Sequence, residues 1–411
     1  MYIRILRGRF LWYFIGQMVY AFGAGSALVI LTLSIFYAFH GKPSAISTLF
    51  LLRFVPISVI GVISGPIIRR VRPMRVLQAS PVIFALCIIG WSAFPKERIV
   101  WGFIAVYHLV FGLFKASRMT ALAEMVTDQN ERVAATGLLF GGNEAVSILS
   151  GAVGAWLYTS LHPLISGAVT AVLVVAGGLI MGRLSQPSAP ESSPHSFSRE
   201  LAEGWRYVYQ VPSLRILTVL LILIWASLGA ITVMLLYLLV QYWHGGAVVY
   251  GWGISSDAIG STIGMFLAPV VTQNWSLARM SRGLSWLLVG AGLLYIVFSE
   301  SPSWPIALGV LVVAAVVFSM STAIDEVFEQ TLPTDAWRAQ SISAMSSLGT
   351  AGYIIGSAGS PYFLHWVSPA VIAAAGGGLL VLSGLVAGLF FTRSLSSQAL
   401  YAGGSSTVVD K

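Results

Sequence analysis

Twelve apolar runs, each close to the length a helix needs to cross a bilayer, leave this chain few folds to choose from. They fall at 10–38, 44–68, 76–95, 99–117, 133–160, 163–183, 214–242, 249–273, 283–299, 304–324, 339–365 and 369–392. A helix rises about 1.5 Å per residue, so roughly 20 apolar residues cover a hydrocarbon core about 30 Å thick. No backbone N–H or C=O can be left to water inside lipid, which restricts spanning segments to helices and closed barrels. A barrel strand needs only about ten residues of alternating pattern, so these runs are helices. The run at 283–299 is short, and Pro81 interrupts the one at 76–95. The sequence therefore supports ten to twelve crossings of an all-α integral membrane protein.

Composition excludes the soluble alternatives. Of 411 residues, 57% are hydrophobic and 9% are charged, where a soluble domain carries roughly 25% charged residues. The net charge of +8 does not point to nucleic acid, because the basic residues sit in short clusters between apolar runs and not along one polar face. The single cysteine, Cys87, lies inside an apolar run and excludes an intramolecular disulfide, a cysteine-rich metal site and a CxxC redox pair. No phosphate-binding loop, dinucleotide fingerprint, zinc-protease motif or catalytic triad is present. Neither a metal, a cofactor, ATP drive nor enzymatic chemistry is expected.

Orientation follows from the basic residues of the loops. With the N-terminus inside, 19 of the 23 Lys and Arg residues fall in inner segments. Only Lys42, Lys96 and Arg98 fall outside, and Arg53 lies within a span. Both termini are expected to be cytoplasmic, in the cell (plasma or inner) membrane, and the first run is too long for a signal-peptide core. The longest polar stretch, 184–213, divides six spans from six. Its first part is Pro/Ser-rich; its second, Ser198 to Tyr209, sets Leu201, Trp205 and Val208 on one face. That spacing suits an amphipathic helix lying on the membrane or an equally ordinary solvated linker helix. The expected division is a first bundle over 1–183, the linker, a second bundle over 214–393 and a polar, disordered tail over 394–411.

The two halves resemble each other. Gly61 to Pro66 in the second span matches Gly264 to Pro269 in the eighth, offset by 203. At an offset of 206, Arg132 matches Arg338, and Gly137, Gly141, Gly151 and Gly154 fall on Ser343, Ser347, Ser357 and Ser360. Small residues four apart let helix backbones approach closely. Two parallel halves around a central cavity is the architecture of alternating-access transporters.

These residues carry a resemblance to a known family. Leu52-Arg53-Phe54-Val55-Pro56, Gly61 to Leu77, Ala121 to Gly154, Glu200 to Leu214 and Phe328 to Asp335 leading to Arg338 together resemble the major facilitator superfamily. Within it they resemble the drug and siderophore exporter branch that includes macrolide-efflux and enterobactin-exporter proteins. The resemblance implies twelve transmembrane helices in two pseudo-symmetric six-helix bundles, and a monomer, which is the family's habit. The superfamily's loop after the second span usually reads G-x-x-x-D-R-x-x-R-R. This chain has Gly65 followed by Arg69, Arg70, Arg72 and Arg75, with Arg69 where the family's latch Asp belongs. The resemblance thus implies an altered cytoplasmic gate with Arg69, Arg70, Arg72, Arg132, Arg338, Glu326 and Glu329 as its candidates. In it the loop arginines Arg69, Arg70, Arg72 and Arg75 are expected to meet acids at inner helix ends such as Glu124, Glu326 or Glu329.

Charges within spans cost about 2.5–3.5 kcal/mol at the helix centre and usually face a cavity or a partner. Arg53 lies about nine residues, or roughly 13 Å, into the second span, and Asp257 lies at a similar depth in the eighth. A buried ion pair between them and a functional role are equally open readings. Glu144 lies near the midplane of the fifth span beside Asn143, with no basic residue at helical spacing. Removing a carboxylate from water favours its protonated form, so Glu144, and with it Asp257, is the candidate for proton coupling. In the resembled fold the fifth and eighth spans face each other, which implies a shared cavity. Asp325, Glu326 and Glu329 at the inner end of the tenth span read as ordinary helix-end acids, and His108 as a packed imidazole. Tyr20 in the first span, and Trp225 and Tyr237 in the seventh, join Asn143 as candidates to line a pocket for flat apolar compounds.

The expected function is a secondary active transporter, a proton-coupled antiporter that exports amphipathic or hydrophobic small molecules in the manner of multidrug efflux pumps. Its partners are a small-molecule substrate, protons or another coupling ion, and the lipid bilayer. An importer, or a lipid or metal exporter, of the same fold is the alternative, although importers of polar solutes need more polar cavity residues than this chain offers. A non-transporting sensor or scaffold would need a signalling domain or long loops.

Overall fold

Proline opens five of the long helices, at the first helical position where its missing N–H costs nothing and its fixed φ suits the turn. The computed structural model describes residues 8–70, 73–96, 98–126, 129–182, 197–334 and 337–394; side chains at 61–74, at 197–202, at 339 and in parts of 119–140 lie outside that description. The helices are α1 (Gly8–Ala38), α2 (Pro43–Arg70), α3 (Pro73–Ala93), α4 (Val100–Met125), α5 (Gln129–Ser160), α6 (Pro163–Gly182), α7 (Phe197–Gln210), α8 (Pro212–Tyr237), α9 (Gly246–Thr272), α10 (Leu277–Ser299), α11 (Trp304–Thr331), α12 (Arg338–Gly359) and α13 (Pro369–Val386). Single π-helical turns extend α8 over Leu238–Tyr242 and α13 over Ala387–Phe391, and a 3-10 segment, Ser360–His365, extends α12.

The twelve apolar runs all become helices, and α7 is the linker helix. Several helices outgrow their apolar runs for local reasons. The short run at 283–299 becomes the 23-residue α10 because Ser276 caps it, its hydroxyl accepting from the Arg279 N–H and so pairing a backbone donor that would otherwise be orphaned. Helix α11 runs on to Thr331 through Asp325, Glu326 and Glu329; its 28 residues reach about 42 Å, longer than the hydrocarbon is thick. Pro81 does not break α3, since its ring packs on Gly178 of α6, which has no Cβ to obstruct it.

Ten helices among the described residues are long and apolar enough to cross a membrane by composition alone. The two long helices outside that set are α5 and α12, at equivalent places in the two halves of the sequence. Both trade aliphatic residues for glycine, serine and other polar groups. Helices of that composition are poor partners for lipid and good partners for other helices.

The chain forms two compact units, one of residues 1–194 with 236–259 and one of 195–235 with 260–411. In the first, α1 packs on α5 and α6, α3 on α4 and α6, and α2 on α4. In the second, α10 packs on α11 and α13, α8 on α12 and α13, and α9 on α11. Shifting each helix of the first half to its counterpart in the second carries these five pairs onto one another. The repeat in the sequence is therefore a repeat in packing.

Glycine makes the contacts close. In the first unit Gly16 and Gly177 bring α1 and α6 backbone to backbone, and a Cβ on Gly177 would meet the Tyr20 nitrogen at 2.5 Å and the Gly16 oxygen at 2.6 Å. In the second unit Gly352 of α12 lies against the Ile222 carbonyl of α8, and Ser227 of α8 donates to the Gly376 carbonyl of α13 at 2.5 Å. Backbone atoms cannot rotate aside as side chains do. Gly177→Val should therefore part α1 from α6 and destabilise the protein by about 1–3 kcal/mol or more. Thermal unfolding in detergent measures this, and a wild-type melting temperature would refute the close approach.

Candidate functional site

Two acids of the first unit flank a close crossing of α5 and α9. Gly251 of α9 and Gly151 of α5 meet so tightly that a Cβ on either would press into the other's carbonyl oxygen, at 2.7 and 2.9 Å. One turn on, the Ser255 hydroxyl donates to the Ile148 carbonyl of α5 at 2.6 Å and accepts from the Ala152 N–H at 3.1 Å. Ser255 thus inserts into the backbone ladder of the neighbouring helix. The spacing Gly251–Ser255 is a small residue four places from another, which is the pattern that could have revealed the crossing from sequence.

Two carboxylates flank this contact. Glu144 lies one turn before Ile148 on α5, and Asp257 lies two residues past Ser255 on α9; both are partly buried. They lie within electrostatic reach of each other. Among the described residues neither carboxylate makes an ion pair with a basic side chain. Asn143, beside Glu144, holds a buried side-chain oxygen that meets no hydrogen-bond donor. Two acids and an unsatisfied amide are an arrangement that can accept protons or a cationic or hydrogen-bonding group.

Arg53 is elsewhere in the first unit. Its guanidinium lies over the rings of Phe50 and Phe54, at 6.0 and 5.5 Å from their centroids, within the range of cation–π attraction. It also reaches Tyr107 and His108 of α4 electrostatically. Among the described residues no ion pair joins it to Asp257. His108 is 2% exposed. Its Nδ1 lies 2.9 Å from the Ile104 carbonyl, while Nε2 has no partner.

The aromatic candidates have different fates. Tyr20 is 2% exposed, packed at a tilt against Phe114 at 4.5 Å and Phe84 at 5.9 Å, with its hydroxyl beside that of Tyr107. Tyr237 is equally buried. Its hydroxyl donates to the Gly41 carbonyl at 3.0 Å and its ring meets Phe36 edge-on at 5.3 Å. Both rings are held in packed interior. In the second unit Trp225 is partly exposed, seated over Gly349 and against Tyr353 of α12 at 6.3 Å.

Of the gate candidates, Arg72 and the side chains of Arg69, Arg70, Arg132 and Glu124 lie outside the described residues. In the second unit, on α11, Glu326 is exposed and Glu329 partly buried, and both interact with Asp325. Asp325 is 4% exposed and has one oxygen without a hydrogen-bond donor. Arg338 is exposed at the first residue of α12. Helix α7 docks on that same end of α12: Tyr207 stacks on Trp337 at 5.7 Å, its hydroxyl accepts from the Thr334 N–H at 3.3 Å, and Gly204 rests on Gln340.

A family model described as the Major Facilitator Superfamily matches residues 13–247. The fold is also that of solved transporters. A mutant of the nucleoside transporter NupG matches with a TM-score of 0.77 at 13% identity, over 93% of this chain and 100% of that one. A D-xylose–proton symporter matches at 0.68 and 14%, over 96% and 99%. A bacterial homologue of the iron transporter ferroportin, in an inward-facing state, matches at 0.70 and 12%, over 95% and 98%. Among curated proteins, none matches.

The position of Arg53 yields a quantitative expectation. Arg53→Gln and Asp257→Asn should shift unfolding free energy independently, within about 0.5 kcal/mol of additivity, as sites without shared partners do. A double-mutant cycle in mixed micelles measures it. A coupling above about 1 kcal/mol would mean that the two charges stabilise each other after all.

Proposed function

Because the chain belongs to the Major Facilitator Superfamily, we propose that it is a proton-coupled secondary transporter that exports amphipathic or hydrophobic small molecules by alternating access. The observation that carries the reading is the pair Glu144 and Asp257, two carboxylates beside the α5–α9 crossing with no basic ion-pair partner among the described residues. Two carboxylates close together in poor solvent are reluctant to ionise together, and each favours a proton on the other. A proton held at such a site biases any conformational equilibrium whose states solvate the site differently, by the difference in affinity between those states. Glycine and serine at the crossing permit the helices to move against each other without re-forming an interlocked side-chain interface.

Efflux of apolar cargo is supported by the chain's chemistry. The polar residues of the spans are few, and the aromatic residues many, as a pocket for flat lipophilic compounds needs. The resemblance to the macrolide-efflux and enterobactin-exporter branch favours the same direction. The D-xylose–proton symporter of the same fold illustrates proton coupling within this architecture. In our reading both termini are cytoplasmic, the protein is a monomer in the cell membrane, and Arg69, Arg70, Arg72, Arg132 and Arg338 form the cytoplasmic gate with Glu326 and Glu329.

Two measurements test the proposal. Glu144→Gln keeps the shape of the protonated acid and removes its titration. It should abolish accumulation of a lipophilic dye driven by an imposed pH gradient in proteoliposomes, while downhill exchange persists. Uphill transport at the wild-type rate in this variant would remove Glu144 from the coupling site. For topology, Ser192→Cys should react with an impermeant maleimide in inverted vesicles and not in intact cells, with buried Cys87 silent in both. Labelling from outside would reverse the orientation.

A further inference from the structure

The only non-glycine residues with positive φ among the described residues are two histidines, His40 (φ 54) and His244 (φ 52). Left-handed backbone is uncommon for any residue with a Cβ, and the place to look for it is where a helix ends. His40 closes α1: its N–H donates to the Tyr37 carbonyl at 3.2 Å and the Gly41 N–H to the Phe36 carbonyl at 2.7 Å. These are the two bonds of a Schellman motif, whose left-handed position is normally glycine. His244 closes the π-helical turn after α8, where the Trp243 N–H donates to Leu238 and the Gly245 N–H to Leu239, both at 2.9 Å. A glycine follows each histidine directly, and Gly41 is itself left-handed at φ 67, yet the histidine before it takes the unfavourable conformation as well.

The two positions are copies of each other. Phe39-His40-Gly41 and Trp243-His244-Gly245 are the same aromatic-His-Gly sequence, 204 residues apart, within the offsets that relate the two halves. They close equivalent helices, the first and seventh spans. Both belong to the first compact unit. Both are exposed, and both line a single cavity of about 390 Å³ together with Tyr37 and Gln241. The cavity walls are fixed by the Tyr237 hydroxyl on the Gly41 carbonyl, by Phe36 against the Tyr237 ring and by Tyr37 stacked on Tyr158 at 5.9 Å. A helix cap alone explains one left-handed histidine. Duplication of the half accounts for the same cap at both ends, but neither it nor the cap explains why both histidines open into one space.

We propose that His40 and His244 form a binding site for a late first-row divalent metal ion, with Zn²⁺ as its test probe, bridging the ends of α1 and α8. Imidazole nitrogen is a preferred ligand of zinc, copper and nickel, and the cavity lining contains no lysine or arginine to repel a cation. Two imidazoles supply half of a tetrahedral shell, and water or the Gln241 amide oxygen completes it. Resting on the alternating-access reading above, an ion shared between these two ends holds them together and slows transport.

The test uses the full chain, purified with a tag that contains no histidine. Calorimetric titration with ZnCl₂ should show one saturable site, weakened at least about tenfold, the lower end of the range over which even supporting groups act, by His40→Asn and by His244→Asn separately. Asparagine tolerates left-handed backbone, so unchanged melting temperatures are expected and exclude misfolding. His162→Asn, at the turn between α5 and α6, should leave binding intact. No saturable binding, or binding that survives either substitution, overturns the site. In proteoliposomes Zn²⁺ should slow wild-type flux and leave His40→Asn unaffected. Binding at both histidines with no effect on flux overturns the bridging role, while the site stands.

Discussion

Every amide that crosses hydrocarbon must find its partner inside its own helix, and the rest of this structure depends on that requirement. It converts each apolar run into a helix and leaves helix–helix contact as the only way to build tertiary structure. Lipid is as apolar as leucine, so burying leucine between helices gains little. Close packing gains more, and close packing needs residues without bulk. That is why the contacts between α1 and α6, α8 and α12, and α5 and α9 each pass through glycine or serine, and why substitution there is costly while many large apolar side chains remain exposed around the outside.

The same requirement makes α5 and α12 informative. A helix surrounded by lipid cannot tolerate the glycine, serine, asparagine and glutamate of α5, yet α5 is as long as its neighbours. It persists because other helices cover it: α1 through Ser26 and the Ser150 carbonyl at 3.3 Å, and α9 through Ser255. Its counterpart α12 is held by α8 and, at its first turn, by Tyr207 and Gly204 of α7. Two helices that depend on their neighbours in this way are natural places for polar chemistry in a membrane, because their polarity is already compensated by packing.

Most of the fold was legible in the sequence, because hydropathy reports directly on the bilayer requirement. Run lengths anticipated the helices, and the six-plus-six offset anticipated the paired packing. The helix ends were less legible: α10 begins before its apolar run because of one serine cap, and α11 continues past its run through three acids. At the site, Glu144 and Asp257 were visible as charges where charges are expensive. Arg53 was visible for the same reason, but its surroundings were not. Depth along a helix is readable from residue count, whereas the direction a side chain takes around the axis depends on neighbours. Two residues at matched depth, Arg53 and Asp257, therefore looked like partners, while Phe50 and Phe54 of its own helix lie under the Arg53 guanidinium. Tyr20 and Tyr237 were plausible pocket residues by position; both are consumed by packing, the first against Phe84 and Phe114 and the second against Phe36 and Gly41.

Charge placement and small-residue packing meet at the α5–α9 crossing. A carboxylate can respond to a change in hydration only if the helices around it can change how they exclude water, and that requires an interface with little interlocking. Gly151 and Gly251 supply such an interface, while the Ser255 hydroxyl pins it by a hydrogen bond to a backbone carbonyl, a contact that water can replace when the helices part. Glu144 lies on one side of this joint and Asp257 on the other. Under the proposed proton coupling, motion at the joint would alter the separation and the hydration of both acids together, and by linkage their proton occupancy would alter the joint. Coupling of this proposed kind would need no relay of side chains. It would follow from placing two acids on either side of a contact built from residues too small to lock.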